Sequence, residues 1–212
     1  MAEQPTIVVR GEARREVPPE QAVISVTTHS RDRDREAVLR RLAERAAEVR
    51  VVVDGFAVER RETGHVQVYP ELKRGGERVV AYTGSLVTTV TVTEFDGLGD
   101  LLLRLAGLGH VAVAGPWWQL RPGSRAGAEV RKAAIDDALG RAREYAEAVG
   151  ARIDRLIEIA DEGPAQAFAT RSVFRASGSD ADAPSIEVDP QPQTVEASVT
   201  VRVTITEPTL PG

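Results

Sequence analysis

Alternation of apolar and polar residues organises the end of the chain. From Thr194 to Ile205, Val195, Ala197, Val199, Val201, Val203 and Ile205 take every second position, with Thr194, Glu196, Ser198, Thr200, Arg202 and Thr204 between them. Successive side chains of a strand point to opposite faces, so this run predicts a strand with one dry and one wet face. Shorter β-prone runs occur at Thr6 to Arg10 and at Gln21 to Ser30, the second with Ala22, Ile24 and Val26 on one face. Pro18-Pro19 between them cannot donate ladder hydrogen bonds, so the two runs are expected to form a hairpin with a wide connection. Longer strands are expected at Phe56 to Tyr69 and Glu77 to Thr93, joined at the turn signal Lys73-Arg74-Gly75-Gly76. Val111 to Leu120 and Arg152 to Ala160 complete the set, with Ile153 and Ile157 as the expected core residues of the latter.

Helical spacing interrupts the strands three times. From Asp32 to about Val51, the residues Val38, Leu39, Leu42, Ala46 and Val49 form one stripe, while Arg35, Arg40, Arg41, Glu44, Arg45 and Glu48 form the other face. An arginine-rich face could meet an anionic partner, but the interspersed acids favour a solvated helix with i,i+4 pairs. Asp96 to Gly107 reads as a short helix with Leu98, Leu101, Leu102 and Leu105 turned inward. Gly123 to Gly150 holds the longest helix, with Ser124 as the expected N-cap and Gly150 as its stop. Its expected stripe is Val130, Ala134, Ile135, Ala138, Leu139, Ala142, Tyr145, Ala146 and Val149. These elements predict an α+β fold of mostly antiparallel sheets packed against one long and two shorter helices. The chain is expected to be a single domain over residues 1–212. Residues 163–193, rich in Ala, Ser, Asp, Pro and Gly, are read as an irregular acidic loop before the last strand.

Composition narrows the function more than it identifies it. A net charge of −5 argues against a general nucleic-acid binder, because neutralising phosphates needs a basic surface. The absence of cysteine excludes disulfides, thiol catalysis and Cys-ligated zinc. No apolar run approaches the roughly 20 residues of a membrane helix, and the N-terminal residues do not read as a secretory leader. A cytoplasmic location with no membrane partner is therefore expected.

Chemistry-bearing patterns are sparse. His29, His65 and His110 show none of the usual ligand spacings, so no metal site is expected. Gly123-Ser124-Arg125-Ala126-Gly127 places its serine one position too early for a nucleophile elbow and is better read as a loop and cap. Gly84-Ser85 lies within a strand pattern, where glycine suggests a bulge. Gly97-Leu98-Gly99 opens a helix but lacks the third glycine of a dinucleotide loop. No catalytic residue, cofactor or identified small molecule is expected. Trp117-Trp118 is the sharpest candidate site. One indole should pack inward and the other should be exposed or buried against a partner, and tryptophan is enriched at interface centres. Phe168 and Phe174 could anchor the long loop on its own domain or on a neighbouring subunit. Trp117, Trp118, Phe168 and Phe174 are thus the candidate oligomer interface. Tyr82, Tyr145 and His110 are the lining candidates for the alternative, a pocket between sheet and helices.

The order of motifs resembles the SIMPL-domain family, also called DUF541. Val9-Arg10-Gly11-Glu12-Ala13 followed by Val17-Pro18-Pro19-Glu20-Gln21-Ala22 is similar to the family's opening signature, with Glu20 where the signature has Asp. Tyr82 to Thr88, Phe95 to Leu101 and the stretch Arg131 to Gly150 resemble its later segments. The resemblance implies an α+β fold, homo-oligomeric assembly into ring- or channel-like particles, and no catalytic residues. It makes a self-assembling structural or interaction protein the leading expectation. A small-molecule binding module or an unrecognised enzyme is the alternative.

Overall fold

The computed structural model describes residues 4–73, 75–76, 78–163, 186–209 and, for the backbone, 166–169. The chain, expected as one domain, divides into two compact units. Of the described residues, those within 4–18, 120–169 and 192–209 form a terminal unit, and those within 19–119 and 186–191 form a central unit. Eight strands and three helices are described: β1 (Thr6–Val17), β2 (Gln21–Asp32), α1 (Arg35–Asp54), β3 (Arg60–Leu72), β4 (Val79–Val92), α2 (Leu98–Ala106), β5 (Val111–Gln119), α3 (Ala126–Ala148), β6 (Ile153–Asp161), β7 (Gln166–Ala169) and β8 (Gln193–Ile205). The fold is α+β with antiparallel sheets, as expected. The helix lengths differ from expectation, because α1 has 20 residues, close to the 23 of α3, and α2 alone is short, with 9.

In the terminal unit the sheet runs β1-β8-β6, with β7 also pairing β8. The alternating run at the C-terminus is its central strand. Val195, Ala197, Val199, Val201, Val203 and Ile205 join Val9 in a core closed by α3. The helix contributes Val130, Ala134, Ala138, Ala142 and Ala146, one residue every four positions. Alanine along that line lets the helix lie very close to the sheet. At the closest approach β1 has Gly11, where a Cβ would stand 2.1 Å from the Ala134 carbonyl oxygen. Tyr145, expected in the stripe, is instead exposed, because the line at i, i+4 leaves it on the flank. Gly150, with φ 69°, stops the helix as expected. Ser124 Oγ accepts from the Ala126 amide at 3.3 Å, one residue outside the cap position.

β1 and β2 do not form the expected hairpin. β1 pairs with β8 in the terminal unit, whereas β2 pairs with β4 and β5 in the central unit. Pro18-Pro19 marks the crossing from one unit to the other, which the alternation of the flanking residues cannot reveal. Ile157, expected in the core, is 46 % exposed. It lies on an outer strand whose register with β8 slips twice, between Ile153 and Arg155 and between Leu156 and Glu158. The first slip brings Leu156 rather than Ile157 opposite the core-facing Val203, so Ile157 turns away from α3.

The central unit has a four-stranded sheet, β3-β4-β2-β5. Ala22, Ile24 and Val26 of β2 and Val90 and Val92 of β4 form its core with Val49 and Val53 of α1 and the four leucines of α2. Asp34 caps α1 by accepting from the amides of Glu36 and Ala37 at 3.2 Å. Leu39 is exposed and Val53 takes a place in the stripe that the sequence pattern did not assign. Gly84 makes no bulge, because its ladder runs in register from Ser30 to Val68. Its role is close approach, since a Cβ there would come within 2.6 Å of Val38 and 2.8 Å of Leu42 on α1. Two of the arginines of α1 are tied to β2 and one along the helix. Arg41 pairs with Asp32 at 2.7 Å and Arg45 donates to the His29 carbonyl, while Arg50 and Asp54 form an i,i+4 pair.

Candidate functional site

β5 forms one edge of the central sheet and carries no charged residue from Val111 to Gln119. Edge strands are normally protected by charge, because their open backbone groups template pairing with another chain. Protection here comes from Pro116, which offers no N–H, and from a local irregularity next to it. The β2–β5 register slips between Val23 and Ser25, and Gly115 takes up the distortion at φ 108°. Any side chain at Gly115 would meet the Val23 carbonyl oxygen at 2.8 Å. Beyond this point the two tryptophans fall in register with β2, Trp117 opposite Val23 and Trp118 opposite Ala22. Ala22 faces the helices, so Trp118 does too. It is buried and meets Phe95 edge to face, with ring centroids 4.8 Å apart. Trp117 points from the opposite face and is 47 % exposed.

The four candidate interface residues therefore separate. Trp117 is available at the surface, and Trp118 is committed to the core of its own unit. The backbone of Phe168 lies on β7, opposite Thr194, and Phe174 lies outside the described residues. The candidate pocket residues separate as well: Tyr145 belongs to the terminal unit, Tyr82 and His110 to the central one. His29 and His110 are brought together at the backbone, where the His29 amide donates to the His110 carbonyl at 2.9 Å. Among the described residues, no group of three His, Asp or Glu side chains could hold a metal ion.

Two polar clusters that the sequence pattern did not single out lie on sheet faces. In the central unit the Arg31 guanidinium holds Glu71 with two of its nitrogens, Nε to Oε1 at 2.9 Å and Nη2 to Oε2 at 2.7 Å, and the Thr83 hydroxyl donates to the same carboxylate. The three residues are 40 and 12 positions apart, so only strand pairing assembles them. The Arg31 and Thr83 hydrogen bonds hold the Glu71 carboxyl well below its ordinary value, at about 2. A depressed folded-state value contributes stability that is complete above the unfolded value and is lost as pH falls toward 2. The pair is solvent-exposed, so its weight in the fold is small. We expect a carbon-detected NMR titration of Glu71 to show a midpoint near 2 and Arg31→Met to raise it toward the ordinary value; a midpoint near 4.3 in the unmodified chain contradicts the pairing.

The second cluster lies on the outer face of the terminal sheet. Glu162 accepts from Thr200 and, at 3.3 Å, from Ser198, and lies 3.3 Å from Arg10. These contacts, the Thr200 bond first, lower its pKa. In both clusters a carboxylate is held by an arginine and by hydroxyl donors, and in the second Arg10 is shared with Glu12 at 2.9 Å.

The family model described as "SIMPL: Protein of unknown function (DUF541)" matches residues 7–203, and the chain belongs to this family. No curated protein matches the chain. Among solved structures, a putative amidohydrolase/peptidase from Burkholderia cenocepacia is 16 % identical with a TM-score of 0.32, covering 55 % of this chain and 31 % of its own. A hydantoinase/carbamoylase family amidase from Burkholderia ambifaria is 17 % identical with a TM-score of 0.29, covering 57 % and 34 %. This chain thus spans about a third of the length of those structures. No helix among the described residues is long and apolar enough to cross a membrane.

Proposed function

We propose that this chain is a non-enzymatic structural module that assembles with copies of itself into a ring- or channel-like homo-oligomer. The observation that carries this reading is the uncharged β5 edge with Trp117 exposed beside it. A large, rigid, amphipathic side chain next to unpaired backbone groups offers both parts of a strand-edge contact, an apolar anchor and a ladder. Closed symmetric assemblies of identical chains satisfy such edges in many soluble proteins. The non-enzymatic part is supported by the two carboxylate clusters, Glu71 and Glu162, each tied up by an arginine and hydroxyl donors on a sheet face.

Trp117→Glu tests the reading. The side chain makes no core contact, so the variant should keep the far-ultraviolet circular dichroism of the unmodified chain. Its mass in solution should fall by at least one subunit multiple, because a carboxylate buried at a strand edge loses hydration without gaining a partner. An oligomer of unchanged mass would remove Trp117 from the interface.

A further inference from the structure

β6 is the outer strand of the terminal sheet, and its second edge is unpaired among the described residues. Leu156, Ile157 and Ile159 on it are 47, 46 and 44 % exposed. Residues three apart on a regular strand face opposite ways. Here the slip between Leu156 and Glu158 changes that. Arg155 stands opposite Thr204 and Glu158 opposite Arg202, both on the outer face of β8. Leu156 stands opposite Val203 and Ile159 opposite Val201, both on the face toward α3. The edge therefore shows one cation and one anion on its outer face and two aliphatic side chains on its inner face. Arg155 has no ion-pair partner among the described residues, and Glu158 reaches Arg202 at 3.5 Å with both side chains half-exposed.

We propose that the open edge of β6 pairs, antiparallel and about a twofold axis, with β6 of a second copy of this chain. The proposal rests on the self-association reading above and deepens it by adding a surface and a register. In an isologous contact, residue i of one copy meets residue j of the other, and j meets i. An axis at Leu156–Ile157 sets Arg155 against Glu158 of the second copy, and Glu158 against its Arg155. One strand thus supplies both halves of two equal ion pairs on the outer face, and the Leu156 side chains of both copies flank the axis on the inner face. Opposite charges directly across a strand pair attract and like charges repel, so this register is favoured over its neighbours. The bend that blunts β6 against an arbitrary strand is shared by a second β6.

The test is a charge swap in the full chain, read as mass by sedimentation equilibrium over a concentration series. Arg155→Glu and Glu158→Arg should each weaken self-association by about tenfold or more, because two attractive pairs become two repulsive ones. An equimolar mixture of the two variants, and the double variant R155E/E158R, should recover the unmodified behaviour. Glu158→Arg also meets Arg202 in its own sheet, so circular dichroism accompanies each variant. If that variant misfolds, Arg155→Glu and Arg155→Gln carry the test, with the reversal weakening association more than the neutralisation. Charge variants that leave the mass unchanged, or a double variant that fails to recover it, would overturn the β6 contact. If Trp117→Glu abolishes assembly while the charge variants do nothing, the assembly reading stands and this one falls. A monomeric unmodified chain defeats both.

Discussion

Trp118→Ala should destabilise the fold by about 4 kcal/mol, the range for truncating a buried large aromatic, while Trp117→Ala one position away should change stability by less than about 0.5 kcal/mol. The contrast follows from strand geometry. Trp118 shares the face of Ala22 and is 4 % exposed, in a core with Ile24, Val90, Leu98 and Leu105. Its removal leaves a cavity and also breaks the edge-to-face contact with Phe95. Within a single chain Trp117, on the other face, loses little on truncation because about half of it lies outside that chain's own packing, so the two variants are compared at a dilution where the chain is dissociated. Urea unfolding of both variants, followed by circular dichroism, reads the difference. Equal midpoints would contradict the assignment of inward and outward indoles.

Gly11→Ala should destabilise by about 3 kcal/mol, at the upper end of overpacking costs. The added Cβ would lie 2.1 Å from the Ala134 carbonyl oxygen, 2.5 Å from the Ala138 nitrogen and 2.6 Å from the Ala138 Cβ. Two of those atoms are helix backbone, which cannot swing aside as a long side chain would. The helix must shift as a body, pulling the alanine line off β1 and β8. Gly140→Ala on the same helix provides the opposite sign. Apart from its chain neighbours and the backbone of its own helix, no heavy atom lies within 4 Å of its would-be Cβ, and alanine is favoured over glycine in a helix by about 1 kcal/mol. Urea midpoints together with hydrogen exchange at β1, β8 and α3 amides check both. A Gly11→Ala variant as stable as the unmodified chain would mean that α3 lies farther from the sheet.

Elements whose pattern is set by their own neighbours were legible before the fold was known. The β8 alternation, the leucines of α2 and the Gly150 stop each reflect a local rule, periodicity or backbone freedom, that acts within a few residues. Pairing between distant segments was not legible in the same way. β1 and β2 each read correctly as strands, but nothing in their residues says that one joins β8 and the other joins β4. Ile157 shows the same limit at smaller scale. Its expected burial assumed unbroken alternation, and a one-residue slip against β8 reversed its face. The second slip placed Arg155 and Glu158 on a common side, so the pattern of the strand alone could not suggest the pair.

The tryptophan pair is the intermediate case. Alternation required one indole in and one out, and register with Val23 and Ala22 decided which. The Arg31–Glu71–Thr83 cluster lay beyond reach of spacing because three strands assemble it. The alanine line of α3 was partly legible, but small residues give a weak periodic signal. Leu139 and Tyr145 therefore drew attention to the flank rather than to the contact line.

Self-assembly is the central claim, and the mass of the unmodified chain in solution tests it most directly. Light scattering behind a sizing column, at micromolar concentration and physiological salt, should give one discrete species at a whole multiple of 22.9 kDa well above the monomer. A single peak at 22.9 kDa that persists as the concentration is raised would contradict the account.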